Sequence, residues 1–231
     1  MRVVVLSGGA AHGLVDALAS DFKARTGADI DAMFGAVGAM KERLLTGTPA
    51  DLLILTQALI GELAGSGHVV RGSERNIGMV HTAIAARTGD KLPVVHDAKL
   101  LKDALVAADE IYFPDPSLAT AGIHFAKTLM ALGIDRTVDA RLRPHPNGAS
   151  AMRALAASKA NRPIGCTQAT EILNTQGVTL VRALPDPFQL STVYTAAIAA
   201  RSRNVDLAGR LVEALTEGAS DSVRQRLGFA P

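Results

Sequence analysis

The stretch DPSLATAGIHF, residues 115–125, joins the apolar run IYF (residues 111–113) to an amphipathic helix through small residues. We predict a strand, a tight loop and a helix here, because an apolar run gives way to a helical repeat of apolar positions. The first N–H groups of a helix lack intrahelical acceptors, and the positive end of the helix dipole lies beside them. The stretch therefore predicts an anion site at a helix start.

The same order of apolar strand, small-residue loop and helix recurs at three other places. These are LSGGAAHGLVDAL (residues 6–18), MFGAVGAMKERL (33–44) and PHPNGASAMRAL (144–155). Four such loops, brought to one place, form a cradle of backbone donors. The rest of the chain is then expected to bring them together.

The composition is that of a globular chain and argues against several classes of protein. Of the 231 residues, 48% are hydrophobic and 20% are charged, which argues against wholesale disorder. Tryptophan is absent and aromatic residues make up 3%, which argues against a surface that stacks bases or sugars. The formal net charge is +2 with scattered lysines and arginines, so there is no nucleic-acid footprint.

The sequence carries no motif for a metal or a cofactor. The one cysteine, Cys166, excludes an internal disulfide and has no metal-ligand neighbour at a recognised spacing, so we predict that it is a small buried apolar side chain. The loop SGGAAHG lacks the spacing of a dinucleotide fingerprint, and no P-loop, HExxH or GxSxG motif is present. We therefore expect no cofactor and no metal.

The chain enters its first strand at Arg2, with no charged segment, long apolar segment or cleavage site before it. As written, it predicts neither a secretory signal nor a membrane span. Two locations remain as expectations: the cytoplasm, or the periplasm if the sequence begins at a processed N-terminus.

Strands and helices alternate along the chain, which predicts an α/β fold with mostly parallel sheets flanked by helices. The predicted strands are residues 3–6, 29–34, 52–55, 111–113, 164–167 and 178–181. The predicted helices are one ending at residue 27, then 39–45, one ending near 65, 98–107, 121–132, 148–157, 169–174, and two within 205–227.

Two long strand-like runs interrupt this alternation. IGMVHTAIAAR (residues 77–87) and STVYTAAIAAR (191–201) end alike and carry no helix signal. We predict that they cross between two lobes, so that residues 85–190 form a lobe inserted into a first lobe of residues 1–84 and 191–231. Since no linker is long or of low complexity, we expect the lobes to close as a hinge over a cleft.

These segments together resemble the periplasmic molybdate-binding proteins of ABC transporters, which have the type II periplasmic-binding-protein fold. The resemblance lies in residues 2–30, 34–56, 115–134 and 162–173 and in the C-terminal RLGF, and it covers nearly the whole chain. Its most specific piece is GTPADL at residues 47–52. It implies a two-lobe fold, a small anion in the inter-lobe cleft and, if the chain is exported, an ABC-type permease as partner.

The residues at the ligand positions differ from those of the family. Its members usually offer a serine hydroxyl after each of the first two strands and a tyrosine hydroxyl in the second lobe. Here those places fall at Ala10, at residues 36–38 and at Gln168, while His12 and His124 stand in the loops. Imidazoles and amides suit a planar carboxylate, or a hydroxy or keto acid, better than a symmetric oxyanion. We therefore expect an organic carboxylate rather than molybdate.

The predicted ligand-binding residues are the strand ends and helix starts of the four loops, with the side-chain donors near them. They are Ser7, Gly8, Gly9, Ala10, His12, Gly35, Ala36, Val37, Gly38, Thr120, Ala121, Gly122, His124, Asn147, Gly148, Ala149 and Gln168. A strand-end hydroxyl such as that of Ser7 can instead bond the local backbone. Asp51 and Asp115 are expected to be turn or capping residues, and His81 to be structural.

Two other functions remain open. The superfamily includes aconitate isomerase, so the same residues allow an isomerase of a small unsaturated di- or tricarboxylic acid. His124 and His12 would then be catalytic, because an imidazole can remove and return a proton beside a carboxylate. A cytoplasmic ligand sensor would need a DNA-binding element, and the sequence shows none. We thus expect a small anion as the partner and no nucleic acid.

Overall fold

A computed structural model describes residues 1–230 of the chain and divides it into two compact α/β units. The first unit contains Met1–Val80 and the described residues from Thr192 onward, and the second is His81–Ser191. The boundaries expected from the sequence lie after residues 84 and 190.

The helices and strands are numbered in chain order. The strands are β1 (Arg2–Gly8), β2 (Asp29–Gly35), β3 (Leu52–Thr56), β4 (Arg75–Arg87), β5 (Glu110–Pro114), β6 (Leu142–His145), β7 (Pro163–Gln168), β8 (Val178–Ala183) and β9 (Ser191–Ile198). The helices are α1 (His12–Thr26), α2 (Val37–Leu45), α3 (Gln57–Gly65), α4 (Ala98–Ala107), α5 (Thr120–Ala131), α6 (Asp135–Val138), α7 (Gly148–Ala157), α8 (Ala169–Leu173), α9 (Val205–Thr216) and α10 (Asp221–Arg226). Short 3-10 turns are Gly9–Ala11, Asp139–Arg141 and Gly218–Ser220.

The sheet of the first unit has a parallel core. Strand β1 pairs in parallel with β2 and with β3, and β9 pairs antiparallel with β3. Every residue of β3 is buried, as expected for the run LLIL in a sheet covered on both faces. Gly8 lies opposite Gly35 in the β1–β2 register, so the loops that lead into α1 and α2 leave the sheet side by side.

The second unit repeats this plan. Strand β5 pairs in parallel with β6 and β7, while β4 pairs antiparallel with β7 and with β8. Its core includes Phe113 and Phe125, whose ring centroids lie 5.4 Å apart, and the fully buried Cys166. Burial raises the pKa of the Cys166 thiol. The prediction of a small buried apolar side chain at Cys166 is therefore confirmed.

Local signals account for most element boundaries. Helix α1 ends at Gly27, which adopts a φ of 71° that a side chain would disfavour. Helix α4 begins after Asp97, whose carboxylate accepts a 2.8 Å hydrogen bond from the N–H of Leu100. Helices α4 and α7 have the predicted bounds, whereas α2 begins at Val37, two residues before its predicted start.

The sequence-based prediction missed α6 and gave no bounds for β6, although the strand, loop and helix order expected from Pro144 implies a strand there. Helix α6 has four residues, too few to show a helical repeat. Strand β6 also has four, LRPH, and its partial burial leaves no alternation of apolar and polar residues to mark it.

The predicted α/β fold of two lobes with mostly parallel sheets is confirmed. Nothing in residues 1–230 forms a helix of the length and apolar character that crossing a membrane requires.

Candidate functional site

Three of the four predicted loops open onto helix starts that lack a side-chain cap. Gly8 precedes the 3-10 turn before α1, Ala36 precedes α2 and Ala119 precedes α5. No side chain of residues 1–230 accepts a capping hydrogen bond at these three positions. Helix α3, by contrast, is capped by the Thr56 hydroxyl. The three uncapped starts keep the backbone donors that suit an anion.

Two of these starts are packed together in the first unit. A Cβ added to Gly8 would lie 2.7 Å from Cγ1 of Val37 and 3.0 Å from Cε1 of Tyr194. Only a glycine fits, because real Cβ contacts are longer than this. The close approach places the loop after β1 against the first residue of α2. Ala10, Ala36 and Val37 are buried there.

The two polar side chains of the first loop have local partners. Ser7 is fully buried, and its hydroxyl donates a 2.9 Å hydrogen bond to the carbonyl of Gly8. His12 stacks on Phe34 with ring centroids 4.1 Å apart, and its Nε2 lies 3.1 Å from a carboxylate oxygen of Asp16. Each side chain therefore has a structural contact, and a ligand contact from either stays a prediction.

In the second unit, the start of α5 packs tightly on the loop before it. Oδ1 of Asp115 accepts hydrogen bonds from the N–H groups of Ser117 at 2.6 Å and Leu118 at 2.9 Å, so Asp115 is a turn residue, as predicted. A Cβ on Gly122 would lie 2.3 Å from the carbonyl oxygens of Pro114 and Asp115. Gly122 thus allows the helix to approach the strand end.

His124 ties α5 to the segment before β9. Its Nε2 lies 2.7 Å from the carbonyl oxygen of Phe188, and a carbonyl can only accept, so Nε2 carries the proton. The cationic clamp or acid–base group expected from the sequence would then have to act through Nδ1. His81 likewise has a structural contact, since its Nδ1 lies 2.9 Å from the hydroxyl of Ser191.

The fourth loop, at the start of α7, is filled by a carboxylate of the protein itself. Glu171 is buried and accepts hydrogen bonds from the N–H groups of Gly148, Ala149 and Gln168 and, at 2.5 Å, from the hydroxyl of Thr167. The remaining N–H of the first turn, at residue 150, donates to the Asn147 side chain at 2.9 Å. Because these donors are engaged, we leave Asn147, Gly148 and Ala149 out of the site proposed below.

Burial dominates the electrostatics of Glu171. Loss of hydration raises the pKa of its carboxyl, although the hydrogen bonds from Thr167 and the three backbone N–H groups act in the opposite direction. Gly148 is indispensable to this arrangement, because a Cβ there would lie 1.9 Å from Oε2 of Glu171.

Gln168 stands beside this carboxylate with its own side chain unsatisfied. It ends β7, is 3% exposed, and neither Oε1 nor Nε2 has a hydrogen-bond partner among the described residues. The buried hydroxyls of Thr82 and Thr170 also lack a hydrogen-bond partner within residues 1–230. Thr82 lies directly opposite Gln168 in the β4–β7 ladder, so their side chains share one face of the sheet.

Sequence reasoning found Gln168 but missed Glu171, Thr167, Thr82 and Thr170. Glu171 lies in the helical run ATEIL, where a glutamate is normally solvated. The available signal was the four-residue spacing from Thr167, which places a hydroxyl at the strand end within reach of the first helical turn. Thr82 and Thr170 have no such spacing, and nothing in the neighbouring sequence indicates that their hydroxyls are buried without a partner.

Comparisons with known proteins agree with this architecture. A family model for bacterial extracellular solute-binding proteins matches residues 3–230. The chain is 24% identical over 235 residues to an aconitate isomerase of Pseudomonas sp, covering 99% of this chain and 87% of that protein. It is 21% identical over 199 residues to the molybdate-binding protein ModA of Escherichia coli (strain K12), covering 85% of this chain and 77% of that one.

A solved structure shows the same fold. The periplasmic molybdate-binding protein of Azotobacter vinelandii superposes with a TM-score of 0.82 at 16% identity, covering 99% of each chain. The predicted resemblance to molybdate-binding proteins of the periplasmic-binding-protein superfamily is therefore confirmed.

Proposed function

Because this chain belongs to the bacterial extracellular solute-binding protein family, we propose that it binds a small organic carboxylate, in particular one that carries a hydroxyl group. The observation that supports this ligand class is the buried carboxamide of Gln168, whose donor and acceptor have no partner in the described part of the chain. A buried polar group without a partner is costly, so a ligand that satisfies both atoms gains affinity.

The two ends of the carboxamide favour different ligand atoms. The Nε2 group donates to a carboxylate oxygen, whereas Oε1 requires a donor, which a ligand hydroxyl supplies. Molybdate and sulfate are fully deprotonated at neutral pH and only accept hydrogen bonds. A dianion of this kind would leave Oε1 of Gln168 unsatisfied, and a hydroxycarboxylate would not.

An uncapped helix start supplies complementary donors for the carboxylate. We assign this role to the N–H groups at residues 120–122, in the same unit as Gln168. Ligand contacts from residues 9–10 and 36–38 stay predictions of the sequence. Glu171 already accepts hydrogen bonds from the N–H groups at the start of α7. The second unit therefore has fewer free helix-start N–H groups for a ligand than the sequence suggests. This also disfavours a compact oxyanion such as molybdate or sulfate, which places two negative charges on one small group.

The family description also bears on partner and compartment. Extracellular solute-binding proteins deliver a ligand, so we propose an ABC-type permease as the protein partner. The description favours the periplasm over the cytoplasm as the compartment.

A thermal-shift series is the test of the ligand class. We expect hydroxycarboxylates such as lactate, malate and citrate to raise the unfolding temperature more than their analogues without the hydroxyl, and more than molybdate or sulfate, since a ligand of the folded state stabilises it. If no anion in the series stabilises the chain, the proposal fails.

The substitution Gln168→Leu separates binding from folding. We expect affinity for the best carboxylate to fall about tenfold or more, because two hydrogen bonds are lost. The free energy of unfolding without ligand should rise or stay unchanged, because an apolar side chain replaces a buried amide that lacks partners. Gln176→Leu, at an exposed position of the same unit, is the matched control and should leave affinity unchanged. Equal affinity of the Gln168→Leu variant and the original chain would rule out the assigned contact.

An isomerase of a small unsaturated di- or tricarboxylic acid is the second candidate function. It is favoured by the aconitate isomerase relative, whose similarity spans 99% of this chain. His124 would transfer the proton through Nδ1, because Nε2 is held by the carbonyl of Phe188.

Proton NMR of cis- and trans-aconitate in heavy water tests the isomerase. Under this candidate, each isomer converts to the other and takes up deuterium, and His124→Ala lowers the rate by about a hundredfold or more. His81→Ala, which removes a histidine bonded to Ser191, should retain the rate. Absence of both conversion and deuterium uptake would leave binding alone as the function.

A further inference from the structure

The geometry points to a second binding site in the His81–Ser191 unit, for a small, uncharged, largely apolar molecule with one hydroxyl donor. The site is a cavity of about 430 Å³ between the end of β4, the loop that follows it and helix α4. Its volume lies within the range of small-molecule pockets. It shares no residue with the proposed anion site.

The walls of this cavity are mostly apolar. Leu92 and Val94 in the loop, Leu100 and Ala104 in α4, and Ile164 in β7 line it. Leu92 is 47% exposed and Val94 is 52% exposed. Two large apolar side chains left in water beside a concave apolar wall favour an apolar occupant, since burying their surface stabilises the complex by roughly 25 cal/mol per Å².

The charged residues of the cavity wall are Asp90, Lys91, Asp103 and Arg162, and Asp90 is the one that carries a buried oxygen without a partner among the described residues. Oδ1 of Asp90 accepts a 2.9 Å hydrogen bond from Nη2 of Arg87, and the same guanidinium donates to the carbonyl of Ser158. The other oxygen, Oδ2, is buried and has no partner within residues 1–230. A buried acceptor in an apolar wall is satisfied by a ligand that donates one hydrogen bond.

The pairing of Asp90 also decides the charge of the ligand. Arg87 already neutralises the Asp90 carboxylate, Lys99 pairs with Asp103, Arg162 pairs with Asp109, and Lys91 is exposed to water. An ammonium group would therefore add an uncompensated positive charge to an apolar cavity. A second carboxylate would face Asp90 and be repelled. A neutral alcohol or phenol meets both conditions.

Titration by two-dimensional amide NMR of the whole chain tests this site. The probe is 2-phenylethanol, and ethylbenzene, 3-phenylpropionate and 2-phenylethylamine are its comparators. We expect 2-phenylethanol to shift the amide signals of residues 86–108 and 161–164 saturably. Ethylbenzene, which lacks the donor, should bind about tenfold more weakly.

Two alanines of similar partial burial provide the matched variants. Ala104→Leu fills the cavity and should abolish the saturable shifts, whereas Ala126→Leu, on α5 outside the cavity, should leave them intact. Absence of saturable shifts with 2-phenylethanol, or their persistence in Ala104→Leu, would overturn the site. Ethylbenzene binding as tightly as the alcohol would overturn the role of Asp90, and tighter binding of the amine or the acid would overturn the neutral ligand.

Discussion

We expect Gly148→Ala to lower the free energy of unfolding by about 3 kcal/mol, measured by urea titration at pH 7 with far-UV circular dichroism. The new Cβ would lie 1.9 Å from Oε2 of Glu171 and 2.1 Å from Oγ1 of Thr167. Both groups are buried, so the carboxylate has to move away from the donors that surround it. The cost therefore combines overpacking with the loss of hydrogen bonds to a buried acid.

The control and the second variant make this explanation specific. Gly61→Ala lies within α3 with no atom within 4 Å of the added Cβ, so it should leave stability unchanged or raise it by up to about 1 kcal/mol. In a Glu171→Ala background, Gly148→Ala should cost less, because the clashing carboxylate is gone and the Thr167 hydroxyl, released from its bond to Glu171, is free to rotate away from the new Cβ. An equal cost in both backgrounds would show that the two side chains are not coupled.

Asp51→Asn is expected to lower the free energy of unfolding by about 3 kcal/mol at pH 7. Asp51 is buried and accepts four hydrogen bonds, from Val4 N–H at 2.9 Å, Ser202 Oγ at 2.8 Å, Arg203 N–H at 3.2 Å and Asn204 Nδ2 at 3.2 Å. In asparagine an NH₂ group replaces one of the two oxygens. This group is a donor, so it cannot accept the two hydrogen bonds that the replaced oxygen accepts. These contacts join Asp51 to β1 and to residues 202–204, so it links distant segments of the chain rather than acting as the turn or capping residue expected from the sequence.

The effect of Asp51→Asn should depend on pH. Burial alone would raise the pKa of the Asp51 carboxyl, but the four hydrogen bonds outweigh it and the pKa is lowered. A lowered pKa in the folded state contributes stability above the unfolded pKa of about 3.9, and this contribution is lost as the pH falls through the folded value. The difference between the chain and the variant should therefore be largest above pH 5 and shrink towards pH 3.

Asp31→Asn is the matched control for this series. Its carboxylate is exposed and, within residues 1–230, pairs with the exposed Arg2, so the change should cost no more than about 0.5 kcal/mol at any pH. Equal losses for Asp31→Asn and Asp51→Asn would contradict the role of the buried hydrogen bonds.

The fold was largely predictable because most of its helices and strands, though not α6 and β6, are marked by their own residues. The buried run LLIL identified β3, and the glycine at position 27 identified the end of α1. Helix α7 was predicted to the residue, since Asn147 precedes a regular apolar repeat. These signals are local, and the parallel pairing of the strands follows from their alternation with helices.

The candidate site was less predictable because it depends on pairs of residues that are distant in sequence. That Glu171 fills the start of α7 follows from contacts with Gly148 and Ala149, more than twenty positions away. The bond from His124 to Phe188 spans 64 positions. Sequence reasoning identified helix starts and histidines, but it could not tell which donors the protein itself had already engaged.

Titration calorimetry of the whole chain tests the central claim most directly. The ligands are the hydroxycarboxylate that gives the largest thermal shift, its analogue without the hydroxyl, and molybdate. We predict that the hydroxycarboxylate binds at least about tenfold more tightly than either of the others, because it alone satisfies both ends of the Gln168 carboxamide. Molybdate binding more tightly than every carboxylate would contradict the account.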